Sequence, residues 1–219
     1  MSDTAYVQLL DLACGAFLLA AVLVLWRREL AVIVRVFALQ GLALAAIVAV
    51  IAGHDRSAEL GALACGILAL RAGLLPWLLR RALAGAGPAK ETRPLVNVAA
   101  SLLGAAVLTM IAYAVSGPLV TLAPSPATHA VPVGLTVVLI GFFVLVTRRR
   151  ALSQVVGFLL VDNGITATAF LTTAGVPLLV ELGVSLDVLF AVLVLQLLAT
   201  RIRDTFGDTD LDELQELHD

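Results

Sequence analysis

The chain has 219 residues, 61% of them hydrophobic and 14% charged, with a formal net charge of −2. A mean hydropathy of +1.04 places it among integral membrane proteins. The balance of charge, without a basic stripe or face, argues against nucleic-acid binding.

Seven apolar stretches are each long enough to cross a hydrocarbon layer of about 30 Å as a helix. Three of them, Tyr6 to Trp26, Leu30 to Ala52 and Ala58 to Leu79, form a first unit over residues 1–79. Within it, Asp11 is shallow and solvated or capping, and Arg35 is close enough to the second span's start to snorkel. Arg71 is deeper, nine residues before Arg80, where it calls for an acid on this chain or on a neighbouring subunit. Residues 80–128 comprise a basic loop, a linker span from Leu95 to Val115 and a second loop. A second unit over residues 129–200 holds the spans His129 to Thr147, Leu152 to Thr172 and Val176 to Thr200. The remainder, 201–219, is polar.

Basic residues fix the expected orientation. Arg27, Arg28, Arg80, Arg81, Lys90, Arg93, Arg148, Arg149, Arg150, Arg201 and Arg203, eleven of the fourteen, fall in alternate connections and the tail. Because Lys and Arg are retained on the cytoplasmic side, the N-terminus is expected outside and the C-terminus in the cytoplasm. The first span has basic residues after it and none before it, the reverse of a signal peptide, so it reads as a retained helix.

An internal repeat organises the spans. Arg27-Arg28 recurs as Arg149-Arg150, Ala52-Gly53 as Ala174-Gly175, and Glu59-Leu60-Gly61 as Glu181-Leu182-Gly183, each 122 positions on. The expected fold is therefore an all-α polytopic membrane protein, with seven transmembrane helices arranged as two parallel three-helix repeats joined by one extra helix.

Chemistry concentrates in the second repeat. Asp162 and Asp187 lie about 15 Å along their spans, counted from Leu152 and Val176, at the same expected depth on antiparallel neighbours. An ionised carboxylate there costs at least about 2.5 kcal/mol, so it needs a partner, water or a proton. Its proton affinity then responds to neighbouring charges and to conformation, which is the basis of a relay. The alternative is an interhelical hydrogen bond of about 0.6–2 kcal/mol that only holds the bundle together. In the repeat register the first copy has Gln40 opposite Asp162 and Cys65 opposite Asp187, so both acids belong to the second copy. Asn163 and Ser185 can supply hydrogen bonds beside them. Glu181 either extends the path outward or, like Glu59, marks a helix start. Arg71 completes the candidate path.

Other chemistries find no support. Cys14 and Cys65 lie within spans and lack the spacing of a zinc or iron–sulfur site. None of His54, His129 and His218 falls within a span interior, so no haem ligand is expected, and no phosphate loop or nucleophile–base set is present. We therefore expect no cofactor, no metal and no catalytic site in this chain. In the tail, Leu211, Leu214 and Leu217 recur at helical spacing among acids. They are expected either to dock on a cytoplasmic peripheral arm or to lie in a solvated acidic end. Runs of small residues, Gly41 to Ala46 and Gly61 to Gly66, are candidate packing faces.

The run Arg149-Arg150-Ala151-Leu152, then Gly157, Asp162-Asn163 and Ala174-Gly175, resembles the second helix of complex I subunit K. Leu186-Asp187-Val188 and Leu195-Gln196-Leu197 resemble its third. With Pro177 to Gly183 and the Thr205-Phe206-Gly207 tail included, the chain resembles hydrogenase-4 component E. That resemblance implies a non-catalytic subunit of an energy-converting oxidoreductase in the bacterial cell membrane. Antiporter-like and other membrane subunits would be its neighbours, and Asp187 would belong to a hydrated charge axis. The match at Asp162 is looser, because the subunit K acid corresponds to Leu159, about one helical turn away. Two other classes stay open: a subunit of a multisubunit sodium–proton antiporter, and a purely structural membrane spacer.

Overall fold

A computed structural model describes residues 2–84, 96–122, 124–148 and 151–172. The described part is all-helical and contains six helices long and apolar enough to cross a membrane, which makes this a multi-pass membrane protein. They correspond to the first six expected spans. The seventh, Val176 to Thr200, and the tail lie outside the described residues, as do Asp187 and Glu181.

Local signals set the helix ends. Helix α1 (Asp3–Trp26) starts at Ser2, whose hydroxyl accepts from the Ala5 N–H. Helix α2 (Leu30–Asp55) runs three residues beyond its expected end and is closed by Arg56, whose φ of 53° is left-handed. The third span is built from α3 (Ala58–Ile67), a π-helical stretch at Leu68–Leu74, and α4 (Leu75–Ala84). Ser57 caps it by accepting from the Leu60 N–H, and Glu59 sits in its first turn, as a helix-start role requires. Helix α5 (Val98–Leu122) is the linker span. A reciprocal Ser125–Thr128 capping box opens the short α6 (Pro126–His129), which leads into α7 (Val131–Thr147), and α8 (Ala151–Thr172) follows.

Helix α2 is central, packed against α1, the third span and α8, whereas α5 rests mainly on α7 and α1. Leu103, Met110 and Val115 on α5, with Leu12, Leu19 and Val146 elsewhere, are exposed, as suits a surface facing acyl chains. Arg27 lies over the Trp26 ring and Arg81 over the Trp77 ring, at 5.0 and 5.6 Å. Such amphipathic pairs suit the membrane–water interface.

Four glycines permit the closest packing in the bundle. Gly134 and Gly141 on α7, and Gly157 and Gly164 on α8, are each seven residues apart and meet across the helix pair. A Cβ on Gly141 would stand 2.6 Å from the Val161 amide nitrogen, and one on Gly164 would stand 2.6 Å from that of Val138. Only hydrogen fits at these positions, so the two backbones lie in contact. Of the small-residue runs read from sequence, Gly41 makes such a contact, whereas Gly61 and Gly66 face open space.

Candidate functional site

Where α2, the third span and α8 converge, the apolar interior holds a charged cluster. Arg71 lies at the centre of the π-helical stretch and is 1% exposed. The widened turn has a local cause. Pro76 has no N–H to return to the Ala72 carbonyl, and its ring crowds that carbonyl in a regular helix. The helix relaxes just before it, with the Leu75 N–H bonding to the Leu70 carbonyl five residues back. Stretches of this kind recur at functional sites.

Helix α2 comes directly against this turn at Gly41, where a Cβ would stand 2.6 Å from the Arg71 carbonyl carbon and oxygen. A glycine is therefore required at that position for the third span to approach as it does. One residue earlier, Gln40 is fully buried and faces the same cluster.

The guanidinium reaches across to α8. Arg71 Nη1 donates to Asn163 Oδ1 at 2.5 Å, and Nη2 donates to Thr166 Oγ1 at 2.8 Å. Asn163 Nδ2 in turn donates to Gln40 Oε1 at 3.0 Å. Arg71 Nη1 also lies 2.5 Å from Asp162 Oδ2. That contact has the range of an ion pair. The Asp162 side chain is 11% exposed, at the margin of the cluster. Gln40 Nε2 has no acceptor among the described residues.

The acid and base are thus on one chain, which answers the question left open by the depth of Arg71. Asp162, Asn163 and Arg71, three of the candidates read from sequence, are brought together. Glu181 and Asp187 lie outside the described residues, so the facing of Asp162 and Asp187 across the midplane is not described. Arg35 and Asp11 are exposed, away from this site.

Two members escaped the sequence reading. In sequence, Gln40 stands out only as the repeat counterpart of Asp162, and Thr166 does not stand out. The spacing from Asp162 through Asn163 to Thr166 puts all three on one side of a helix, which was a usable signal. Arg148 stands in the connection between α7 and α8, as expected, but it is buried: it is 5% exposed and its Nη2 donates to the Leu25 carbonyl at 2.8 Å, where a cation offsets the negative end of α1.

The cluster sets one carboxylate against one guanidinium inside an apolar interior. It contains no nucleophile–base pair. Among the described residues no group of three His, Cys, Asp or Glu is placed to hold a metal.

These features define a polytopic helical membrane protein with a charged, hydrogen-bonded cluster buried between its helices. The chain is 54% identical over 220 residues, spanning all of both proteins, to the uncharacterized protein Rv0085 of Mycobacterium tuberculosis, and it belongs to that protein's family. It is also a partial homologue of hydrogenase-4 component E. It is 33% identical to the Escherichia coli K12 protein over 117 residues, 53% of this chain and 54% of that one, and the Shigella flexneri protein matches equally. The match thus spans about half the length of component E. No family model matches the chain, and no solved structure does.

Proposed function

We propose that the chain is a non-catalytic membrane subunit of a hydrogenase-4-like or complex-I-like oxidoreductase, and that Asp162, held by Arg71, is a proton-carrying station in its ion path. The observation that carries this reading is the Arg71–Asp162 pair, linking two spans inside an otherwise apolar bundle. Removing two charges from water costs several kcal/mol each, which a structural fastening made of leucines avoids. Proton uptake by Asp162 removes the countercharge of Arg71, so occupancy of the site and the fit of the third span against α8 become linked. The Gln40 side-chain N–H, which finds no acceptor among the described residues, supports the same reading by offering a donor for water at the cluster. The likeness to component E supports the subunit assignment, with antiporter-like membrane subunits as neighbours and the leucines of the tail directed to a cytoplasmic arm. In this proposal Val176 to Thr200 forms a seventh span that completes a second three-helix repeat, bringing Asp187 and, further outward, Glu181 into the path. The basic connections are cytoplasmic, with the N-terminus outside.

The test is proton pumping in membrane vesicles by the intact complex carrying Asp162→Asn or Asp187→Asn, with subunit content checked by co-purification. An amide at 162 retains an oxygen facing Arg71 but cannot exchange a proton. Assembly is expected to persist and pumping to be lost. Normal pumping by an assembled Asp162→Asn complex would leave the cluster as a structural fastening.

A further inference from the structure

At the Thr172 end of the bundle, a pocket of about 260 Å³ lies between α1, α2, α6 and α8. Its walls carry Tyr6, His54, Asp55, Ser125 and Thr172, an unusually polar set for this chain. The Tyr6 and His54 rings stack at a centroid distance of 4.0 Å and an interplanar angle of 18°. Asp55 is the charged acid in the lining, and α6 and α8 contribute only neutral side chains to it. Such a space is polar and large enough to hold several waters.

Two of its walls, α2 and α8, are the helices that carry Gln40 and the Asp162–Asn163–Thr166 face. Ile51, Phe170 and Leu171, at 4%, 1% and 1% exposure, form the buried apolar part of its lining. Thr166, whose hydroxyl receives Arg71 Nη2, precedes Phe170 by four residues, about 6 Å along α8. On α8, then, one helical turn separates the pocket lining at Phe170 from Thr166, the nearest member of the Arg71 network on that helix, and Asp162 lies about one turn further on.

We propose that this pocket is the water-filled outer port of the cluster, and that Phe170 with Ile51 is the apolar gate between them. The inference rests on the reading of Asp162 as a proton station and adds the route by which water and protons reach it. An apolar constriction of this thickness blocks ions when dry and admits a water chain when its side chains part. Phe170 is the largest side chain in the closing layer, so its rotation, or its removal, opens the most space. His54 and Asp55 give the pocket polar walls that can hydrogen-bond to water.

Cysteine accessibility tests the gate without measuring transport. The full-length protein, with Cys14→Ala and Cys65→Ala, carries Thr166→Cys as a reporter in sealed vesicles with the Thr172 end facing the medium. The probe is the membrane-impermeant thiol reagent methanethiosulfonate ethyltrimethylammonium. With Phe170 in place the reporter is expected to stay silent. With Phe170→Ala it should react about tenfold faster or more, as dewetting of the constriction is relieved. Thr172→Cys, in the pocket itself, should react in both backgrounds and so shows that the bundle is intact. If Phe170→Ala does not accumulate, Ile51→Ala replaces it with the same expectation. Equal reaction of Thr166→Cys in the gated and opened backgrounds, fast or slow, overturns the proposal. Pumping by Asp162→Asn is a separate readout. Normal pumping there with gated labelling here removes the proton-station reading and keeps the gate, whereas lost pumping with ungated labelling removes the gate alone.

Discussion

The two helix contacts on either side of the bundle use the same small residues to different ends. Between α7 and α8, Gly134, Gly141, Gly157 and Gly164 bring two backbones together, and shape alone determines the fit. Between α2 and the third span, Gly41 alone presses on the opposing backbone. Beside it an open groove of about 500 Å³ runs along Ala45, Ala49, Gly53, Gly61, Ala64 and Cys65. Shape leaves that side incomplete, and the third span is tied to α8 instead by the Arg71 network with Asp162, Asn163, Thr166 and Gln40. A contact set by shape has one closed state. One held by an ion pair loosens when the pair is neutralised, as a working proton site requires.

Breaking the charged contact should have the largest effect. Arg71→Leu leaves Asp162 without its partner inside the bundle, at an expected cost of about 3–5 kcal/mol. It should appear as poor accumulation and an early thermal transition in detergent. The double variant Arg71→Leu with Asp162→Leu removes both charges and should recover most of that loss, because an apolar pair of similar size avoids desolvation. A double variant as unstable as the single one would mean that hydrogen bonds to Asn163 and Thr166, and not charge, hold the third span.

The shape-determined contact should break by a different route. Gly141→Ala places a methyl 2.6 Å from a backbone nitrogen of α8, which cannot move aside as a side-chain tip can. Separating the helices should cost about 1–3 kcal/mol. The thermal transition of the purified chain reads this directly. No second substitution at a charged position should repair it, in contrast to the Arg71 case.

How much of this comparison was legible in the sequence follows from what each feature depends on. The six described spans were readable because a bilayer imposes length and apolarity on each helix independently of its neighbours. Asp162 and Arg71 were conspicuous for the same reason, since each is an expensive residue wherever it points. Their pairing was not readable, because it depends on which faces α8 and the third span turn toward α2. The π-helical turn that aims Arg71 follows from Pro76, a residue the span pattern treats as unremarkable. Gly41 and Gly61 looked alike in sequence, yet one touches backbone and the other faces open space. Small-residue runs report that close approach is possible and not where it occurs. The seven-residue spacing of Gly134 with Gly141, and of Gly157 with Gly164, was the more informative pattern, because it repeats along one helix face.

That distinction gives the smallest expected effect and the sharpest control. Gly61→Ala adds one methyl in the groove, where no neighbouring element among the described residues comes within 4 Å of the new carbon. Ala also favours a helix by up to about 1 kcal/mol over Gly. The stability of the purified chain should therefore stay level or rise slightly, within about 0.5–1 kcal/mol, while Gly141→Ala lowers it under identical conditions. The two substitutions have the same chemistry and the same helix-propensity gain, so their difference isolates backbone contact. Equal losses would show that the groove closes around Gly61 in the membrane, making both sides of the bundle shape-determined. A neutral Gly61→Ala would leave the charged network, and not close packing along the groove, as what holds the third span against the rest of the bundle.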